Sequence, residues 1–203
     1  MKKHTHRLPS PVSFRAFAPS PLRALSLLLF SLLLSPFPLF AQYTEADIRN
    51  YIETYKEIAI QKMVEYKIPA SITLAQGIFE SGSGTSRLAR EANNHFGIKC
   101  HKEWTGDTIR HTDDAPQECF RKYEKAEYSY DDHSLFLTSR PRYAKLFTLD
   151  IMDYKGWAHE LKAAGYATNP QYPERLISLI ERFDLATQDT IAMQLFGDKI
   201  KSE

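Results

Sequence analysis

Only two cysteines, Cys100 and Cys119, occur in the 203 residues, and they form no Cys-x-x-Cys pair. The histidines at 95, 101, 111, 133 and 159 show no ligand spacing, and His159-Glu160 runs into Leu161-Lys162-Ala163 rather than a His-Glu-x-x-His zinc helix. No metal or cofactor is therefore expected. No Gly-rich phosphate loop occurs, and no serine sits in a nucleophile-elbow pattern. Eight glycines and eleven prolines are too few for a fibrous or low-complexity chain, and no internal repeat is visible. A net charge of +1 gives no basic field for nucleic acid, so no nucleic-acid partner is expected. What remains is an ordinary globular composition, 43% hydrophobic and 25% charged, with length for one domain with a real core, or at most two very small ones.

Acid is missing from one stretch altogether. Residues 1–41 carry Lys2, Lys3, Arg7, Arg15 and Arg23 and no Asp or Glu, which leaves the remaining chain with a net charge of −4. The basic part is followed by the apolar run Ala24–Leu34, by Pro36 and Pro38, and by Ala41 before a polar body. This order describes a secretory signal peptide over 1–41, cut before Gln42, with an uncleaved leader as the alternative and the only expected contact with a membrane. The body is then expected outside the cytoplasm, in the periplasm or cell envelope. Export permits one disulfide between Cys100 and Cys119, closing a loop of about twenty residues; two free buried thiols are the alternative.

The body reads as mostly helical. Thr44-Glu45-Ala46-Asp47 resembles a capping box, and Ile48, Tyr51, Ile52, Tyr55, Ile58, Ala59 and Met63 then recur at helical steps, predicting a helix over about 44–65. Pro69 opens a second helix that Ser81-Gly82-Ser83-Gly84 stops near Glu80, and Thr85–Ala92 forms a short third. Residues 99–126 lose that spacing. Asp107–His111 and Glu118–Tyr123 alternate as two short strands around a turn. Helical patterns return over Tyr128–Ser139, over Asp150–Ala164 with Gly165 as a stop, and from Pro173 to Asp184. The fold class is α+β, mostly α, with a small β insertion after the third helix. Residues 185–203 form a tail read as a further helix, a docked segment or disordered chain.

Glu80 leads the candidates for chemistry. It ends an apolar helix just before a Gly/Ser loop, where partial burial raises a carboxyl pKa toward that of a general acid; an exposed helix-end glutamate is the alternative. Glu118 lies in the strand region, and glycosidic hydrolysis needs two carboxyl groups. The competing reading pairs it with Lys122 or Arg121 on the surface. Phe96, Trp104, Tyr143, Tyr166 and Tyr172 fall in loops or at element ends, where aromatic faces can stack on sugar rings. Asp131-Asp132-His133 point apart on a helix and read as solvated surface.

The segment Leu74-Ala75-Gln76-Gly77-Ile78-Phe79-Glu80-Ser81-Gly82-Ser83-Gly84-Thr85-Ser86 resembles the catalytic helix of bacterial N-acetylglucosaminidases of glycoside hydrolase family 73, found in flagellar rod-cap proteins and autolysins. The resemblance continues in order through Asn93–Lys99, Glu118–Tyr123, Tyr130–Leu137, Arg140–Tyr143 and Ala164–Tyr172. It implies a lysozyme-like fold, a helical lobe with a small β-hairpin lobe, in a glucosaminidase domain over 42–184. It implies endo-acting hydrolysis of the β-1,4 bond after N-acetylglucosamine in peptidoglycan glycan strands. It assigns Glu80 as general acid and Glu118 as second carboxylate, which in an inverting reaction would act as base for a water. In a substrate-assisted reaction, Tyr172 or Tyr166 would instead orient the sugar's acetamido group, with Tyr172 favoured. Asn94, Phe96, Tyr143 and Tyr166 are expected along the substrate groove. A lytic transglycosylase or muramidase, and an inactive glycan-binding assembly module, are the competing functions; oligomeric state is not legible.

Overall fold

The computed structural model describes residues 44–202 except Asp114. The leader assigned to 1–41 lies outside the described residues. Helix α1 (Glu45–Tyr66) begins on the expected capping box: Thr44 Oγ1 accepts from the Asp47 backbone N–H, and the Asp47 carboxylate accepts from the Thr44 N–H at 2.7 Å. Ile48, Tyr51, Ile52, Ala59 and Met63 are buried along its inner face, as the periodicity predicts. Helix α2 (Ala70–Ser81) follows Pro69 and is buried at every position from Ala70 to Ile78. It is the central helix and packs against α1, α6 and α7, so no polar face is needed. Gly82, at φ +57, caps its C-terminus in the left-handed conformation.

Helix α3 (Arg87–Ala92) starts two residues later than its pattern predicts, because Ser86 caps the Ala89 N–H. Strands β1 (Thr108–His111) and β2 (Glu118–Arg121) pair antiparallel, with His111 opposite Glu118. The backbone at 98–100 runs along the other edge of β2, through Arg121 N–H to Ile98 O at 3.0 Å and Cys100 N–H to Cys119 O at 2.9 Å. Cys100 and Cys119 are joined in a disulfide there, with Cα atoms 5.5 Å apart. The small β lobe is thus tied to the segment that leads into it.

Helix α4 (Ala126–Thr138) is followed by a 3-10 helix (Pro141–Thr148) that the periodicity does not show, since its turns are too short for a 3.6-residue stripe. Helix α5 (Tyr154–Ala163) begins at the Asp153 cap rather than at Asp150, and Gly165, at φ +77, follows its end. Helix α6 (Tyr172–Arg182) has Pro173 in its first turn. The tail is largely helical: α7 (Ala186–Lys201) packs on α1 and α2, with a break at Phe196. Its Asp189 is buried and accepts from the Ser71 N–H at 2.8 Å and the Ser71 hydroxyl at 2.5 Å. It caps α2, whose own N-cap residue, Pro69, offers no side-chain acceptor. The protein is mostly helical with one two-stranded sheet, in the lysozyme-like arrangement.

Candidate active site

A cleft of about 650 Å³ runs between the end of α2 and the β lobe. Glu80 stands half-buried in its wall, one residue before the end of α2. The helix is buried from Ala70 to Ile78, so the carboxyl is carried to the edge of the core rather than into solvent. Burial is the main reason its pKa is pushed up to about 7; the charge of Asp113 raises it further, and a hydrogen bond from Tyr172 lowers it. A carboxyl held near neutrality can keep its proton until a leaving group needs it.

Tyr172 opens α6 and is buried. Its hydroxyl donates to Glu80 Oε1 at 3.1 Å and accepts from Gln76 Nε2 at 3.0 Å. Gln76 lies one turn before Glu80 on α2, so the helix period places amide, phenol and carboxyl in one chain. Burial and the neighbouring Glu80 carboxyl push the Tyr172 pKa well above the ordinary phenol range, so it remains a donor. One carboxyl oxygen is therefore held by Tyr172 and the other remains for chemistry. Tyr166 packs on Tyr172 with ring centroids 5.7 Å apart and lines the cleft. Phe96 also lines it, stacked at 4.1 Å on His133.

Three expected site residues lie elsewhere. Glu118 does not line the cleft: its carboxylate pairs with Lys99 Nζ at 2.7 Å and accepts from the Ala115 N–H at 3.0 Å. The expected surface pairing with Lys122 or Arg121 is also replaced, because Lys99 arrives from the backbone segment beside β2 and Arg121 is held by Asp132 at 2.8 Å. Asn94 is fully buried, with Oδ1 accepting from the Ile98 N–H and Nδ2 donating to the Ile98 and Arg121 carbonyls, each at 2.9 Å. It shapes the entry to the β lobe instead of facing substrate. Tyr143 is buried beneath Phe136 and Tyr166, because the 3-10 helix turns it inward. Asp131-Asp132-His133 is not solvated surface either. Asp131 pairs with buried Lys62, Asp132 with Arg121, and His133 is buried at the cleft floor.

The residue the sequence reading missed is Asp113. It lines the cleft on the turn after β1, and it is the carboxylate whose charge reaches Glu80. Lys99 Nζ lies 3.8 Å from Asp113 Oδ2 and also holds Glu118, so one cation links these two acids of the β lobe. The Asp-Asp pair at a turn was the available signal; turn chemistry and catalytic acid look alike in a sequence.

The glucosaminidase family model, described as mannosyl-glycoprotein endo-beta-N-acetylglucosaminidase, matches residues 56–185. The chain belongs to this family. Among curated proteins, the exo-glucosaminidase LytG of Bacillus subtilis is 35% identical over 63% of this chain and 48% of its own length. The peptidoglycan hydrolase FlgJ of Vibrio cholerae is 28% identical over 70% of this chain and 46% of its own. The chain spans about half the length of these relatives. A crystal structure of a peptidoglycan hydrolase from Sphingomonas sp. A1 superposes with a TM-score of 0.60 at 27% identity, covering 71% of this chain and 94% of that one. The glucosaminidase match takes in Glu80, Asp113, Glu118, Tyr166 and Tyr172, so the cleft is built wholly from the family region.

Proposed function

We propose that the protein is a peptidoglycan hydrolase that cleaves the β-1,4 bond after N-acetylglucosamine within glycan strands, with Glu80 as general acid. The single observation that carries this reading is Glu80 itself: a cleft carboxyl raised to about 7 by burial, with one oxygen held by Tyr172. Membership of the glucosaminidase family, and relatives named for peptidoglycan and glucosamine chemistry, supply the substrate class. Such a substrate places the working protein in the cell envelope, which fits the leader expected over 1–41. Among the described residues no helix is long and apolar enough to cross a membrane.

The glycan would lie along the cleft with its sugar faces against Tyr166 and Phe96. As the glycosidic bond stretches, the Glu80 proton passes to the leaving oxygen, while the Tyr172 hydroxyl stabilises the carboxylate that forms. Positive charge develops on the sugar ring at the same moment. Asp113, on the opposite lobe, supplies the facing negative charge and takes a proton from the attacking water. Lys99, bridged between Asp113 and Glu118, holds these two acids in place, so Glu118 acts on position rather than on substrate.

Digestion of purified peptidoglycan, with products read by mass spectrometry, tests the reading. Fragments ending in reducing N-acetylglucosamine from internal cuts are expected. Anhydro-muramic ends would identify a lytic transglycosylase, reducing muramic ends a muramidase, and intact strands an inactive binding module. Release of terminal residues alone would make the enzyme exo-acting.

A further inference from the structure

The chemical centre of the cleft is acidic, yet one wall carries a cation that the reaction described above does not use. Arg140 lines the cleft just beyond the end of α4, extended ahead of Pro141 as a residue before proline must be. Its guanidinium lies over the ring of Phe136, 3.7 Å from the centroid. A guanidinium seated over a ring is held there by cation–π attraction and keeps N–H donors to offer away from the ring. Other arginines nearby spend those donors within the protein. Arg142 gives them to the carbonyls of Ala164 and Gly165, and Arg121 gives them to the Asp132 carboxylate. No carboxylate among the described residues pairs with Arg140.

A half-buried guanidinium, pre-oriented on an aromatic ring, is a receptor for a planar anion. The sugars of a glycan strand are uncharged at their ring hydroxyls and acetamido groups. Where a stem peptide is attached, through the lactyl group of N-acetylmuramic acid, the lactyl carboxyl is spent in the amide bond and the anions are the carboxylates of the peptide. A bond cut after N-acetylglucosamine has an N-acetylmuramic residue next to the reacting sugar, so a peptide must leave the cleft along one of its walls. We propose that Arg140 receives a carboxylate of that stem peptide, so that the cleft takes peptide-bearing strands in preference to bare glycan. The assignment rests on the peptidoglycan reading for the identity of the strand, and on Arg140 and Phe136 for the charge.

Binding, rather than turnover, separates this inference from the enzymatic reading. The full chain carrying Glu80→Gln is titrated with a peptidoglycan tetrasaccharide that bears its stem peptides, with the same tetrasaccharide carrying simple lactyl amides in place of peptide, and with a form whose peptide carboxylates are amidated. The peptide-bearing ligand is expected to bind about tenfold more tightly than the other two, a margin that narrows with added salt because the site is half-exposed. Adding Arg140→Gln should remove the margin, and Arg140→Lys should restore only part of it, since an ammonium neither stacks nor forks. Equal binding of the three ligands, a margin that survives Arg140→Gln, or no binding at all overturns the proposal. Failure of the enzymatic reading shows separately, as wild-type protein that leaves peptidoglycan uncut while the Arg140-dependent margin persists.

Discussion

At the scale of single residues, the account turns on what surrounds the Glu80 carboxyl. Its acid form must be present for proton donation, and its pKa is pushed up to about 7, so kcat/KM should fall as pH rises through that value. The two neighbours pull in opposite directions. The Tyr172 hydrogen bond favours the carboxylate, so Tyr172→Phe should move the alkaline limb of the pH–rate profile upward while lowering the maximum. The Asp113 charge disfavours the carboxylate, so Asp113→Asn should move the same limb downward. A shift of that limb in the same direction in both variants would contradict this electrostatic arrangement. Asp113→Asn should also cost on the order of a hundredfold in rate, the range for loss of a positioned acid–base group. Glu118→Gln keeps a polar partner beside Lys99 and should lose much less; a larger loss than that of Asp113→Asn would return Glu118 to the reacting centre.

At the scale of elements, most of the framework is written in periodicity. The stripe from Ile48 to Met63, the proline before α2 and the glycine after α5 each carry a local physical signal, and each element lies within a few residues of where that signal puts it. The 3-10 helix is invisible because its spacing is not helical, so Tyr143 reads as a groove residue in the sequence and is core in the structure. Glu80 was legible from an apolar run meeting a Gly/Ser stop. Asp113 and Asn94 were not, since their roles depend on which lobe faces which, and long-range placement leaves no local pattern. The same holds for Asp189, whose meaning appears only when α7 docks on α2. Asp189→Ala leaves the Ser71 N–H and hydroxyl unpartnered in the core and should cost about 1–3 kcal/mol. Thermal unfolding should show it as a fall of roughly 2–4 °C per kcal/mol. An unchanged midpoint would mean that α7 contributes no cap.

For the molecule as a whole, the cleft exists because two unequal lobes face each other. The helical lobe has a deep core around α2, whereas the β lobe is two four-residue strands held by the 98–100 edge and one disulfide. Opening Cys100–Cys119 removes a cross-link over about twenty residues, worth ~3 kcal/mol in the chain-entropy model. Reduction should therefore lower the unfolding midpoint, and it should depress activity at temperatures where the helical lobe remains intact by circular dichroism, because Asp113 and Lys99 sit on the loosened side. Activity that tracks only global unfolding would show that the β lobe holds its place without the bridge.

The most direct test of the central claim is peptidoglycan hydrolysis by folded Glu80→Gln protein. Glutamine preserves the shape of the side chain and a group for the Tyr172 hydroxyl to bond, and it cannot release a proton to the leaving oxygen. The account predicts a rate on the order of a hundredfold or more below wild type, with the circular dichroism spectrum unchanged. Near-normal turnover by that protein would contradict it.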